Sequence, residues 1–181
     1  MLPASRGSNS VHTALTRGQG IPVFEGTLDG YLSEHREQFD VITAWHVVEH
    51  VPDPVAAFKG LKSLLAPGGQ MTVSVPNAGS VFARKLRADW HSADLPIHLH
   101  QFSAKSLAKA AELAGLSARS ISTDSTGKGV AQSLQVHLRK KYLVPQRLSS
   151  RLPGMVAIGN YLAKKHDREA RGEALVIRLA A

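Results

Sequence analysis

The chain has 181 residues, of which 43% are hydrophobic, and no cysteine. That is enough apolar material for one domain with a single buried core, and the missing cysteines exclude disulfide scaffolds, thiolate metal sites and cysteine nucleophiles. The formal charge of +8 comes from 22 Lys and Arg against 14 Asp and Glu. No apolar run approaches the roughly 20 residues of a membrane span, and the opening MLPASRGSNS lacks the apolar stretch of a secretory leader, so a cytoplasmic protein is expected.

In chain order, Val11 to Arg17 reads as weakly helical, and Gly18-Gln19-Gly20 stops it. Ile21-Pro22-Val23-Phe24 is a short apolar run ended by Gly26, which predicts a strand. Phe39-Asp40-Val41-Ile42-Thr43-Ala44 is apolar after its acidic entry, the pattern of a strand covered on both faces. Asp53 suits a helix N-cap and Pro54 a first turn, and Val55, Phe58, Leu61, Leu64 and Leu65 recur at the spacing of one buried stripe. Pro67-Gly68-Gly69 predicts a tight turn closing that helix, and Gln70 to Val75 the next strand, ended by Pro76-Asn77. Ser103 is placed to cap a helix through Ala114, with Gly115 as its left-handed terminator. Ala118 to Thr123 and Ala174 to Leu179 read as two more strands. Strand and helix alternating with short links predicts an α/β fold with a mainly parallel sheet, in which ligands sit beyond the carboxyl ends of the strands.

WHVVEHVPDP, Trp45 to Pro54, falls at such an end and contains His-x-x-Glu-His, the spacing of a zinc-peptidase signature. A zinc site of that kind needs both imidazoles on one face of a continuous helix. Here the segment leaves a β-branched strand, and Pro52 and Pro54 disfavour helix just before them, so a cleft-lining loop is expected instead.

FDVITAWHVVEHVPDP, LLAPGGQMTVSVPN and WHSADLPIHLHQFS, in that order and followed by a helix ending in AGL, resemble the class I S-adenosylmethionine-dependent methyltransferases. The nearest group is that of the ubiquinone-biosynthesis O-methyltransferases. The resemblance covers roughly Ile21 to Ser122 and implies a Rossmann-like methyltransferase sheet with helices on both faces, S-adenosyl-L-methionine as cofactor, and methyl transfer to an oxygen or similar nucleophile of a small-molecule or lipid- or sugar-linked acceptor. It puts Trp45 and His46 in the cofactor pocket and Thr27, Leu28 and Asp29 near the adenine ring, although Asp29 by itself reads as an exposed turn residue. Glu49 and His50 would be the catalytic pair, the carboxylate orienting an imidazole that takes the acceptor's proton, with a packing role for His50 the competing reading. Pro76, Asn77 and His98 would border the acceptor. Some quinone-pathway relatives associate a divalent cation with Glu-x-x-Glu-His; His46 replaces the first Glu here, and no metal is assigned.

The resemblance also implies a Gly-rich turn after a first strand and an acidic residue after a second, and neither is found. The fold is therefore expected to be truncated at its N-terminus, with the first two strands missing and a preceding segment or a second chain completing the sheet. Residues 124–172 are expected to form a helical, basic insertion within a single domain spanning 1–181. Between Arg139 and Arg171, nine Lys or Arg face only Asp167 and Glu169. This is read first as a solvated face, since aromatic residues are too sparse there for base stacking, and secondarily as a contact for an anionic membrane or lipid. The competing function is a non-catalytic module that binds an anionic partner through this segment.

Overall fold

The computed structural model describes residues 16–143 and 154–181. Residues 11–15 of the weakly helical opening, together with Arg147 and Arg151 of the basic segment, lie outside them. The described residues fall into two units, divided between Glu37 and Gln38.

In the first unit, Thr27 caps helix α1 (Leu28–Glu34), its hydroxyl accepting from Gly30 N at 3.1 Å. Ile21 to Phe24 forms no strand, contrary to its apolar pattern. Local aromatic packing takes it instead: the Phe24 ring meets Tyr31 and His35 edge-on at 5.2 and 5.4 Å, and Tyr31 stacks on His35 at 4.1 Å.

The second unit is built on a four-stranded sheet of β1 (Phe39–Trp45), β2 (Leu65–Pro76), β3 (Ser117–Asp124) and β4 (Ala174–Ala180), in the order β1-β2-β4-β3. β1 and β2 are parallel, and β4 runs antiparallel between β2 and β3. Because β4 runs against the others, its first residue lies beside the last residues of β2 and β3, with Ala174 opposite both Pro76 and Asp124. Everything that leaves the carboxyl ends of β1, β2 and β3, or enters β4, therefore meets at one edge.

Helix α2 (Pro54–Ser63) starts where Asp53 accepts from Ala56 N at 3.0 Å and Pro54 fixes the first turn. Helix α3 (Val81–Leu86) is capped by Ser80. Helix α4 (Ala104–Leu113) opens on a reciprocal Ser103–Ser106 capping box, and Gly115 follows it at φ +76°. Helices α5 (Gly127–Tyr142) and α6 (Met155–Arg168) precede β4. One face of the sheet, carrying Met71, Val73, Val75, Leu175, Ile177 and Leu179, packs against Phe58 of α2 and Leu107 and Ala111 of α4. A second apolar cluster joins Phe82 of α3, Trp90, Val130 of α5 and Ala163 of α6.

Two further sequence readings need correction. Pro67-Gly68-Gly69 does not sit between helix and strand but inside β2, where the register against β1 jumps from Phe39↔Leu65 to Val41↔Gln70. Gly68 is left-handed at φ +81°, and a Cβ on Gly69 would lie 2.9 Å from Ala66 O and 3.0 Å from Phe39 O, so the bulge needs both glycines. Nor is β1 covered on both faces. Ile42 and Ala44 reach the core, while Phe39, Val41 and Trp45 on the alternate positions are exposed, so only one face of β1 is covered by packing.

Candidate active-site cleft

β1 ends at Trp45, and the next residue, His46, has φ 53°, a left-handed conformation uncommon in a residue with a side chain. His46 N still bonds Ser74 O at 2.9 Å, so the strand is held to β2 while the chain turns away. A single 3-10 turn over Val48–His50 follows, and α2 begins only at Pro54. The two histidines of His-x-x-Glu-His are therefore separated by a turn rather than carried on one helix.

Glu49 is fully buried. Its Oε1 lies 3.2 Å from His46 Nδ1 and 4.0 Å from His50 Nε2, and its carbonyl accepts from Leu99 N and His100 N at 2.9 and 3.1 Å. The imidazole it orients is thus that of His46, whose pKa the carboxylate hydrogen bond raises against the opposing effect of partial burial. His50 Nδ1 sits 3.2 Å from Ile97 O, and its ring meets His98 edge-on at 4.7 Å. His98 Nδ1 in turn is 2.9 Å from Ser92 O. Ligand atoms of Glu49, His50 and His98 lie within 4.8 Å of one another, close enough to hold a cation. Glu49 Oε2 is the one buried side-chain polar atom without a hydrogen-bond partner among the described residues.

Beside this group, at the shared edge of the sheet, opens a cleft of about 380 Å³. Trp45 lines it from the end of β1, His46 from the turn that follows, Ser74 from β2, Asp124 from β3, Lys128 and Gly129 from α5, and Glu173 from the entry to β4. His50, Glu49 and His98 do not line it. Asn77 is buried with both amide ends engaged, Nδ2 donating to Gly172 O at 2.9 Å and Oδ1 accepting from Gly79 N at 2.9 Å; it fastens the end of β2 to the approach to β4. Pro76 is the last residue of β2, opposite Ala174. Thr27, Leu28 and Asp29 belong to the first unit, as the cap and first turn of α1.

Glu173 escaped the sequence reading. It is 5% exposed, and its Oε1 accepts from Trp90 Nε1 at 3.2 Å and Ser133 Oγ at 3.0 Å. Burial raises its pKa, the bonds from Ser133 and Trp90 oppose the rise, and the nearby Asp167 charge adds to it. Trp90 fastens this carboxyl from within the second apolar cluster. A signal was present, a lone acid directly before an apolar strand, but its meaning depends on β4 running antiparallel.

Residues 9–121 match a family model described as a methyltransferase domain. Over 89 residues the chain is 33% identical to a ubiquinone biosynthesis O-methyltransferase of Shewanella sp., a match covering 48% of this chain and 38% of that protein. Curated relatives are thus matched over well under half of their own length. Among solved structures, a SAM-dependent methyltransferase from Thermotoga maritima superposes with a TM-score of 0.53 at 17% identity, covering 93% of this chain and 67% of that one. The [4+2]-cyclase SpnF superposes with a TM-score of 0.54 at 15% identity, covering 94% and 60%. At these identities the superpositions establish a Rossmann-like fold that serves methyl transfer in one protein and a cyclisation in the other.

Proposed function

Since the chain belongs to the methyltransferase-domain family, we propose that it carries out S-adenosylmethionine-dependent methyl transfer to an oxygen or similar nucleophile of a small or lipid- or sugar-linked acceptor. The observation that carries this reading is the cleft at the carboxyl ends of β1 and β2, with Trp45 and His46 at its mouth. S-adenosylmethionine would supply an electrophilic methyl group on its sulfonium sulfur. The residues present suit such a group: Trp45, half exposed, offers an indole face to a flat base or thioether chain, and His46 brings an imidazole held by a buried carboxylate. Thr27, Leu28 and Asp29, assigned to the adenine by the resemblance, form the cap and first turn of α1 in the first unit.

The protein's own work in such a reaction is to hold the acceptor in line and receive its proton. Glu49 and His50 support this work from behind. Glu49 fixes the His46 ring and, through its carbonyl, the loop at Leu99 and His100; His50 and His98 brace each other under that loop. Pro76 and Asn77 set the floor of the acceptor side by tying β2 to the entry of β4.

Calorimetry with S-adenosylhomocysteine tests the reading. Binding is expected, and Trp45→Ala should weaken it about tenfold, the loss of roughly 1.4 kcal/mol of ring contact. No heat with the unmodified chain would end the proposal. A non-catalytic role for the basic segment has less support, because Lys140 is paired with Asp89 at 2.7 Å and Arg171 lies 3.7 Å from Glu169.

A further inference from the structure

We infer that Glu173 is the proton acceptor of the cleft, its Oε2 taking the hydroxyl proton of the acceptor as the methyl group is transferred. This rests on the methyl-transfer reading above and adds to it the residue and the atom that receive the proton.

The carboxyl group is asymmetric in its surroundings. Oε1 accepts two hydrogen bonds, from Trp90 Nε1 and Ser133 Oγ, which occupy both of its lone pairs. A proton on this carboxyl therefore resides on Oε2. That atom lies beside Gly129, where an added Cβ would stand 3.0 Å away, and Glu173 and Gly129 line the same cleft as Trp45 and His46. Glycine at 129 leaves the approach to Oε2 open. The backbone of Glu173 is pinned as well, N donating to Ser125 Oγ at 2.8 Å and the carbonyl accepting from Asn77 N at 2.7 Å. A carboxylate fixed at both ends has little reorganisation to undergo when charge moves. Its pKa is raised by burial, which brings its proton affinity closer to neutral working conditions than that of an exposed glutamate. His50, by comparison, has one ring nitrogen at Ile97 O and lies outside the cleft.

In the transfer, the acceptor oxygen forms a bond to the methyl carbon as the carbon–sulfur bond breaks and its electron pair stays on sulfur. The acceptor's O–H proton passes to Oε2, and the neutral carboxyl then releases it to solvent through the cleft. The titratable and charged residues that line the cleft with Glu173 are His46 just after β1, His91 from the 3-10 turn after Trp90, Asp124 from β3 and Lys128 from α5, and the Asp167 charge of α6 acts on the carboxyl as well.

The test uses 4-fluorophenol as a hydroxyl probe and 4-fluoroanisole as its methyl-blocked counterpart, titrated into the full chain and followed by fluorine NMR, with S-adenosylhomocysteine calorimetry on the same samples. At about pH 8 the phenol should bind roughly tenfold more tightly than the anisole, and the preference should fade toward about pH 4 as Oε2 is protonated. Glu173→Gln keeps an oxygen for Trp90 and Ser133 but replaces the ionisable oxygen with an amide, and should bring the two probes within about twofold at every pH. Gly129→Ala crowds Oε2 with Glu173 intact and should do the same, which covers the case in which the glutamine variant fails to fold. A preference that survives both the Glu173 and Gly129 changes, or no preference in the unmodified chain, overturns the assignment. A normal probe preference without S-adenosylhomocysteine binding would instead overturn the methyl-transfer reading, and with it this role in that step.

Discussion

Glu173 and Glu49 are both buried carboxylates at the end of the sheet where β1 finishes and β4 begins, yet their surroundings differ. Glu173 is held by two donors, and its pKa is still raised because burial outweighs them. A carboxyl whose folded pKa lies above its unfolded value contributes stability that is full below the ordinary glutamate range and is lost as pH rises through the folded value. Glu173→Gln removes that loss, so its melting temperature relative to the unmodified chain should climb between about pH 4 and about pH 7. Thermal melts of the two proteins across that range check the sign, and a constant difference would contradict it. Glu49 poses the opposite problem, an Oε2 with no partner next to His50 and His98. Adding zinc or manganese should raise the melting temperature by linkage, and His98→Ala should abolish the rise. If melting is indifferent to cations, Glu49 serves only to hold His46 and the loop. The sequence made this half of the site legible because a strand running directly into Trp-His-x-x-Glu-His must release those side chains at the sheet edge. It hid Glu173 because the direction of β4 is set by tertiary pairing, which no local pattern near Gly172 records.

At the level of elements, the capped helices were the most legible part of the fold. Asp53-Pro54 and Ser103 with Gly115 are local chemistry, complete within a few residues, and the helices begin and end on them. Ile21 to Phe24 misled because a short apolar run is equally able to serve a strand or an aromatic cluster, and here Tyr31 and His35 lay within reach. Pro67-Gly68-Gly69 misled because a bulge inside a strand uses the same residues as a turn before one. The packing of α5 on α6 was not legible at all. It depends on Gly127 and Gly159: a Cβ on Gly159 would run into the Gly127 carbonyl, and one on Gly127 into the Asn160 side chain and then its backbone nitrogen. Gly159→Ala should therefore separate the two helices and destabilise the chain by about 1–3 kcal/mol in denaturant titrations, a cost resembling core overpacking. Because Val130 and Ala163 of these helices share a cluster with Trp90, the same change should loosen the Trp90–Glu173 contact, visible as a shift in tryptophan fluorescence.

On the scale of the whole molecule, the sheet has a well-paired centre and two edge strands among the described residues, β1 and β3. β2 and β4 are each bonded on both edges, whereas β1 has a partner on one edge only among the described residues, and it exposes Val41 at 66% and Trp45 at 52%. An unpaired, apolar strand edge is a template for further strands, and proteins protect such edges with charge when nothing covers them. β1 carries only Asp40 for that purpose. Self-association at high concentration is therefore expected to run through this strand, and Val41→Lys separates the effect from folding. Its side chain points away from the core, so the substitution should alter stability by less than about 0.5 kcal/mol. Light scattering should nonetheless fall sharply for Val41→Lys compared with the unmodified chain at equal concentration. A still more exposed apolar site on another element, Leu143 at the end of α5 (87% exposed), changed as Leu143→Lys, should leave scattering much as it was. Were the two substitutions to act alike, association would be a general consequence of exposed apolar surface, and the bare side of β1 would have no special part in it.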